Sequence, residues 1–272
     1  MKHMPMKKLY ILLVAASFAA CQSEQKAGSN TDSTIIAAAE QLSFKYDSVK
    51  VYSQHPISSE NVKDTTKAVL SYPVFADQKI NQFIEQKVMN SANEGEHYSS
   101  YQDFSEAFVK NFDDFSKENK DYAQTWFMNG KVEVAARQPR YLSFLYTFIN
   151  YEGGAHPNTV FTYLNYDPVS HQEIVLDTLI KPGSMPALTA VAEKIFRKNE
   201  KIPPSASLKD NYFFENDKFS LNQNFTITKE GLKFLYNPYE IKAYAYGTTE
   251  LLIPFAELKE IARPNSLLNP RD

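Results

Sequence analysis

The amino-acid sequence predicts an α+β fold with mainly antiparallel sheets and packed helices. Most of the chain after residue 41 consists of short segments that alternate apolar and polar residues, which is typical of strands. The clearest helical patterns lie side by side in the sequence and do not alternate with single strands, which favours antiparallel pairing. No segment recurs with a period of about 20–50 residues, so neither a solenoid nor a propeller is predicted. With 272 residues, 43% of them hydrophobic, the chain can bury a sizeable core.

The first predicted elements are two strands and two helices. Residues 44–52 and 67–75 alternate apolar and polar residues and predict strands. Asp77 is expected to cap a helix in which Ile80, Phe83, Ile84 and Val88 recur at helical spacing. A second helix is predicted from a stripe that we interpret as buried core, formed by Tyr101, Phe104, Phe108, Phe112 and Phe115.

Strands dominate the rest of the chain. Asn129-Gly130 predicts a hairpin turn between short strands at 126–128 and 131–134, because both residues tolerate the positive φ of a two-residue turn. Further strands are predicted at 141–151, 159–166 and 249–253, and a hairpin at 225–236. Helices are predicted at 186–198 and, as a short turn, at 255–261, and residues 263–272 are expected to form a frayed tail.

The N-terminus has the pattern of an export signal. Residues 1–20 combine three lysines with an uncharged apolar run and end in small residues before Cys21, the only cysteine. This pattern resembles a bacterial lipobox, which predicts removal of residues 1–20 and lipidation of Cys21; an ordinary cleavable signal is the alternative. Residues 21–40 are expected to form a flexible tether, or to include a short helix at 35–42. We therefore expect a lipid-anchored protein of the bacterial cell envelope, on the outer membrane or the periplasmic face.

Composition excludes several classes of function. A single cysteine rules out an internal disulfide framework, a multi-cysteine zinc cluster and an iron–sulfur site. The net charge of −3 argues against a nucleic-acid partner, and loss of residues 1–20 leaves 26 basic and 32 acidic residues, a net charge of −6. The sequence lacks the H-E-x-x-H, G-x-S-x-G and phosphate-loop motifs. We expect no cofactor, no metal and no catalytic residue.

Two segments contain candidate binding or structural residues. The first comprises Glu152, Gly153, Gly154, His156 and Asn158 between two aromatic strands. Glu152 and His156 could form an acid–base pair, or His156 could satisfy a backbone carbonyl in a tight connection. The second comprises Asn237, Tyr239, Glu240 and Tyr246, with Tyr244 among them. Its tyrosines could form a recognition surface or a rigid corner.

These segments, together with 225–232 and the strand leading into 253–258, resemble the PdaC/RsiV-like family of bacterial extracytoplasmic domains. The resemblance covers residues 42–262 and implies an α+β fold, with a PdaC-type domain at 41–158 and an RsiV-type domain at 159–262. It implies no catalytic role, since the deacetylase zinc motifs are missing. The expected function is a binding module for a lysozyme-like protein or cell-wall peptidoglycan. The alternatives are an envelope-polymer hydrolase using Glu152 and His156, and a structural docking protein.

Overall fold

A computed structural model describes residues 42–59, 62–91 and 96–269 of the chain. The predicted signal peptide, the lipidation site Cys21, the tether and the alternative helix at 35–42 lie outside these residues, except for Leu42 itself. In the part of the chain that is described, no helix is long and apolar enough to cross a membrane.

Eleven strands and five α-helices make up the described part of the chain. The strands are β1 (Phe44–Tyr52), β2 (Ile57–Ser59), β3 (Val62–Asp64), β4 (Lys67–Phe75), β5 (Phe127–Gln138), β6 (Tyr141–Tyr151), β7 (Asn158–Asp167), β8 (Gln172–Glu173), β9 (Phe225–Ile227), β10 (Gly231–Tyr236) and β11 (Thr249–Pro254). The helices are α1 (Gln78–Met89), α2 (Tyr101–Glu118), α3 (Leu176–Leu179), α4 (Met185–Asn199) and α5 (Phe255–Leu258).

The larger sheet has six strands in the order β1-β4-β5-β6-β7-β8. All neighbours pair antiparallel except β4 and β5, which are parallel. Helices α1 and α2 pack with this sheet around the first core. The predicted stripe is buried there from Tyr101 to Phe112. Asp77 caps α1 as predicted, because its side chain accepts a hydrogen bond from the Lys79 N–H at 2.9 Å.

A second sheet has three strands in the order β11-β10-β9, all antiparallel, and β2 and β3 form a separate antiparallel pair. The three-stranded sheet packs with α3, α4 and α5 around a second core. Leu188, Phe196, Phe234 and Leu251 are fully buried in this core. Residues 263–269 of the predicted tail also pack here, since Leu268 is 1% exposed. This part of the predicted tail is therefore packed against the core and not frayed.

A buried hydrogen-bond network joins the six-stranded and three-stranded sheets at Tyr141 on β6. Its hydroxyl donates to Asn165 Oδ1 at 2.8 Å and accepts from the Ile227 N–H at 2.7 Å. Thr226 Oγ1 lies 3.1 Å from the same hydroxyl and 2.8 Å from Ser143 Oγ. Because all these polar groups lie at the same junction, the network fixes β9 against β6 and β7.

Asn129-Gly130 does not form the predicted hairpin turn. Both residues lie inside β5, where Gly130 pairs with Leu70 on one side and with Phe148 on the other. A Cβ atom on Gly130 would lie 2.3 Å from Leu70 Cδ2, so the glycine is needed for close packing and not for a positive φ.

The predicted α+β class is confirmed, with one parallel strand pair among mainly antiparallel ones. The predicted division between residues 158 and 159 falls at the start of β7, which pairs with β6 from Asn158 to Tyr166. Residues on both sides of this division therefore share one sheet, and the division into domains stays a prediction.

Candidate functional site

The first predicted segment forms the connection between β6 and β7. Gly153 and Gly154 have φ values of 102° and 109°, in a region that residues other than glycine rarely adopt. The Tyr151 hydroxyl lies 2.9 Å from the Gly154 carbonyl oxygen and fixes the start of the loop. The glycines therefore turn the chain sharply and present His156 at the protein surface.

His156 contacts two tyrosines from the second predicted segment. Its ring stacks on Tyr244 with 4.0 Å between ring centroids and an interplanar angle of 14°. Its Nδ1 lies 3.0 Å from the Pro157 carbonyl oxygen. Because a carbonyl can only accept, Nδ1 donates this hydrogen bond, and Nε2 lies 3.3 Å from the Tyr239 hydroxyl oxygen. We call His156, Tyr239 and Tyr244 the aromatic cluster.

Glu152 does not join His156 in the predicted acid–base pair. Its Oε1 accepts a hydrogen bond from Asn150 Nδ2 at 2.8 Å, and Asn158 Nδ2 donates to Asn150 Oδ1 at 3.2 Å. Within the described residues, no hydrogen bond or ion pair connects Glu152 with His156. The two side chains therefore have separate partners, and the loop assembles an aromatic contact in place of a proton-transfer pair.

Tyr239 has a strained backbone in an exposed position. It is the third residue of the turn from Asn237 to Glu240, which is closed by the Glu240 N–H donating to the Asn237 carbonyl at 3.1 Å. Its φ is 67°, a value that favours glycine and costs a larger residue roughly 1 kcal/mol. Its side chain is nevertheless 56% exposed, so burial of the ring does not explain the strain.

Glu240 and Asn237 hold this turn in place. Glu240 accepts from the Asn237 N–H and from Asn222 Nδ2, each at 2.7 Å. The Asn237 side chain accepts from the Phe161 N–H at 2.7 Å and donates to the Phe161 carbonyl at 3.0 Å. Asn237 therefore fixes the turn to the edge of β7, and the loop that contains His156 leads directly into β7.

Asn224 is a residue of this site that the sequence did not reveal. Its Oδ1 accepts from the Tyr163 N–H at 2.7 Å, and its Nδ2 donates to the Phe161 carbonyl at 2.8 Å. Together with Asn237, it satisfies backbone groups along β7 that face away from β6. An asparagine just before a strand is typical of a turn, and nothing in the pattern indicates such a long-range contact.

Tyr246 is more exposed than Tyr239, with 73% of its surface accessible. It lies two residues after Tyr244, in a single helical turn of 3₁₀ type. The structure thus brings His156 and Tyr239 into contact across 83 positions in the sequence, with Tyr246 nearby in the chain. Among the described residues, no group of three or more His, Cys, Asp or Glu side chains could hold a metal ion.

Comparison with known families divides the chain into two matching regions. The family model described as deacetylase PdaC matches residues 59–159, and the model described as a protein of unknown function, DUF3298, matches residues 177–256. Asn237, Tyr239 and Tyr246 lie in the second region, whereas Glu152 and His156 lie in the first. The aromatic cluster therefore combines residues from both regions.

Two crystal structures share the fold. A DUF3298 family member from Bacteroides fragilis has a TM-score of 0.65 and 21% identity, over 83% of this chain and 96% of that one. A DUF3298 family protein from Pseudomonas aeruginosa has a TM-score of 0.64 and 18% identity, over 86% of this chain and 100% of that one. At these identities the likeness concerns the fold alone.

Curated relatives match over shorter stretches. Immunogenic protein MPT64 of Mycobacterium tuberculosis is 30% identical over 109 residues, which are 38% of this chain and 43% of that protein. A protein named as an esterase from the same organism is 28% identical over 116 residues, 40% of this chain and 47% of that protein. The chain thus spans less than half the length of these relatives.

A PdaC region followed by a DUF3298 region indicates an envelope-associated module. The family matches and the shared fold of the DUF3298 structures agree with the resemblance found in the sequence. The chain belongs to the PdaC/RsiV-like domain family.

Proposed function

We propose that this protein is a lipid-anchored, non-catalytic module of the bacterial cell envelope that binds cell-wall glycan through the aromatic cluster. The observation that carries the proposal is Tyr239, which is held exposed at a φ of 67° while its hydroxyl contacts His156. Backbone strain that is maintained without burying the side chain is a feature of binding sites. The lipidated Cys21 would keep the module at the envelope.

The chemistry of the cluster suits a sugar ring. An aromatic face offers an apolar surface to the C–H groups of a sugar, and the tyrosine hydroxyls offer hydrogen bonds to its hydroxyl groups. Amide and carboxylate groups of Asn150, Glu152 and Asn158 lie on the same loop as His156 or beside it. Such a combination of flat apolar faces and a few polar groups is typical of a small-molecule site.

The test is calorimetry, which would measure the binding of soluble cell-wall fragments to the full-length chain. Tyr239→Gly removes the ring and also relieves the strained φ, so we expect at least tenfold weaker binding with stability unchanged or increased. Tyr52→Ala is the matched control, because Tyr52 is 47% exposed on β1. Equal affinity for the Tyr239→Gly variant and the original chain would refute the site.

A lysozyme-like cationic protein is the second candidate partner. It is favoured by a cluster of acidic side chains at the loop between β6 and β7. Burial, together with the neighbouring Glu96, Asp103 and Glu152, raises the pKa of Tyr98 to about 12. These carboxylates and the net charge of −6 expected for the processed chain would attract a basic protein.

Such a complex should weaken as ionic strength increases, because salt screens exposed charges. We expect Glu152→Gln to weaken binding of lysozyme at low salt, with Glu118→Gln, an exposed acid on α2, as the control. Binding that is insensitive to both salt and Glu152→Gln would exclude this mode.

The hydrolase alternative has less support, because Glu152 and His156 have separate partners. If a hydrolytic activity were found, its loss in His156→Ala at unchanged stability would support the hydrolase alternative.

The anchor is tested separately by labelling cells with a radioactive fatty acid. We expect the label on the original chain and none on Cys21→Ala.

A further inference from the structure

We propose a second ligand site, specific for a carboxylate group, in a groove at the opposite end of the β6–β7 hairpin. The groove has a volume of about 940 Å³ and opens beside Arg140 and Asp167. Its other walls come from the β7–β8 turn, the β9–β10 turn and residues 265–269. Because β6 spans eleven residues, this groove lies about 33 Å from the loop of His156.

Arg140 is the central group of the proposed site. It directly follows Pro139 in the short turn between β5 and β6, so a rigid connection positions it. One guanidinium nitrogen, Nη2, donates to Asp167 Oδ2 at 3.1 Å, and the side chain is 71% exposed. A guanidinium has five N–H donors in a planar fork, so most of them remain available to a ligand.

Lys229 supplies a second positive charge to the groove. Its side chain lines the groove from the β9–β10 turn. Among the described residues it forms no ion pair, whereas other lysines such as Lys87 and Lys233 do. Within residues 42–59, 62–91 and 96–269, Lys229 therefore has no ion-pair partner that would neutralise it.

The two carboxylates of the groove are already engaged. Asp167 Oδ1 accepts from the Val169 N–H at 2.9 Å, and its Oδ2 accepts from Arg140. Glu173 forms an ion pair with Lys87 at 2.6 Å. The available charge in the groove is therefore positive, although fixed negative charges lie close by.

This balance selects a carboxylate over a phosphate. A carboxylate is a planar monoanion that matches the fork of Arg140. For a phosphate dianion, both the attraction to Arg140 and Lys229 and the repulsion from Asp167 and Glu173 double, so these balanced charges give it no net advantage. Its loss of hydration on binding costs more than that of a monoanion. The exposed amides of Gln138, Gln172 and Asn265 line the same groove and can bind the hydroxyl or amide groups of a polar ligand.

Acidic sugars and peptide C-termini both carry such a carboxylate, and matched probes distinguish them. Titration of the full-length chain, followed by two-dimensional NMR, would compare N-acetylmuramic acid with N-acetylglucosamine, which lacks the carboxylate. It would also compare N-acetyl-D-alanyl-D-alanine with its C-terminal amide. We expect at least one acid to bind about tenfold more tightly than its neutral counterpart, because a charged hydrogen-bond pair contributes this much.

The variants test the assignment to this groove. Arg140→Gln should weaken binding of the acid about tenfold and Lys229→Gln about threefold, whereas Lys45→Gln on β1 should have no effect. Lys229→Gln breaks no ion pair, so it separates lost binding from lost folding. Tyr239→Gly should leave this binding unchanged, which makes the site independent of the proposed function. Equal binding of acid and neutral probes, stronger binding of inorganic phosphate, or unchanged affinity in both variants would overturn the proposal.

Discussion

Removal of a single oxygen, in Tyr141→Phe, should destabilise both cores. The ring stays in place, but the Ile227 N–H and Asn165 Oδ1 lose partners at 2.7 and 2.8 Å. Ile227 and Asn165 are both buried, so water cannot readily replace the hydroxyl. Each unsatisfied buried group costs about 1–3 kcal/mol, and we therefore expect the free energy of unfolding to fall by about 3 kcal/mol.

The assay is urea unfolding followed by the fluorescence of Trp126, the only tryptophan in the chain. Trp126 lies in the first core, whereas Tyr141 belongs to the second. If the network couples the cores, Tyr141→Phe must lower the urea midpoint reported by Trp126, although Tyr141 and Trp126 belong to different cores. Tyr52→Phe on the exposed strand β1 is the control.

Two results would refute this reasoning. One is a loss below about 1 kcal/mol, which would mean that the two buried groups find other partners. The other is an unchanged Trp126 midpoint while circular dichroism shows earlier unfolding. The second result would mean that the cores unfold separately and that the network does not couple them.

Two further predictions concern β5 and the β7–β8 turn. Gly130→Ala should cost about 1–3 kcal/mol in urea unfolding because its Cβ would lie 2.3 Å from Leu70 Cδ2. Since Leu70→Ala removes the clashing atom, the double variant should lose less stability than the sum of the two single losses. Burial alone would raise the pKa of Asp167, but hydrogen bonds from Val169 and Arg140 outweigh it and lower the pKa. A lowered pKa stabilises the fold above the unfolded value near about 3.9, and this contribution is lost as pH falls through the folded pKa. The stability of Asp167→Asn should therefore decline less between pH 6 and pH 3 than that of the original chain, and an equal decline would contradict the assignment.

Local patterns were sufficient for the elements whose environment is regular. Strands β1 and β4 begin and end where their alternation of apolar and polar residues predicts. In β4, buried positions alternate with more exposed ones at 67–70 and again at 73–75. The start of α1 follows from Asp77, whose capping contact involves a residue only two positions away. Such features depend on neighbours that the sequence itself displays.

The turn expected at Gly130 shows where local patterns fail. The dipeptide Asn129-Gly130 is typical of a hairpin, but the glycine is required by Leu70, sixty positions earlier. A sequence pattern cannot distinguish a glycine that permits a turn from one that permits close packing.

The same limit applies to the candidate site. The sequence pointed to both segments, but the partners of His156 are Tyr239 and Tyr244 and not the neighbouring Glu152. Proximity in the sequence suggested a pair of Glu152 and His156, but the chain bends at Gly153 and Gly154 and the two side chains have separate partners. Arg140 gave no pattern at all, because its surroundings come from four separate turns and segments.

The asparagine contacts along β7 have a consequence for how the protein behaves among other chains. A bare strand edge is a template on which a foreign strand can pair, and such pairing leads to aggregation. The side-chain amides of Asn224 and Asn237 occupy the N–H and carbonyl of Phe161 and the N–H of Tyr163, and side-chain amides cannot propagate a sheet. At this edge the sheet is closed to further strands, which would help to keep molecules apart at high protein concentration.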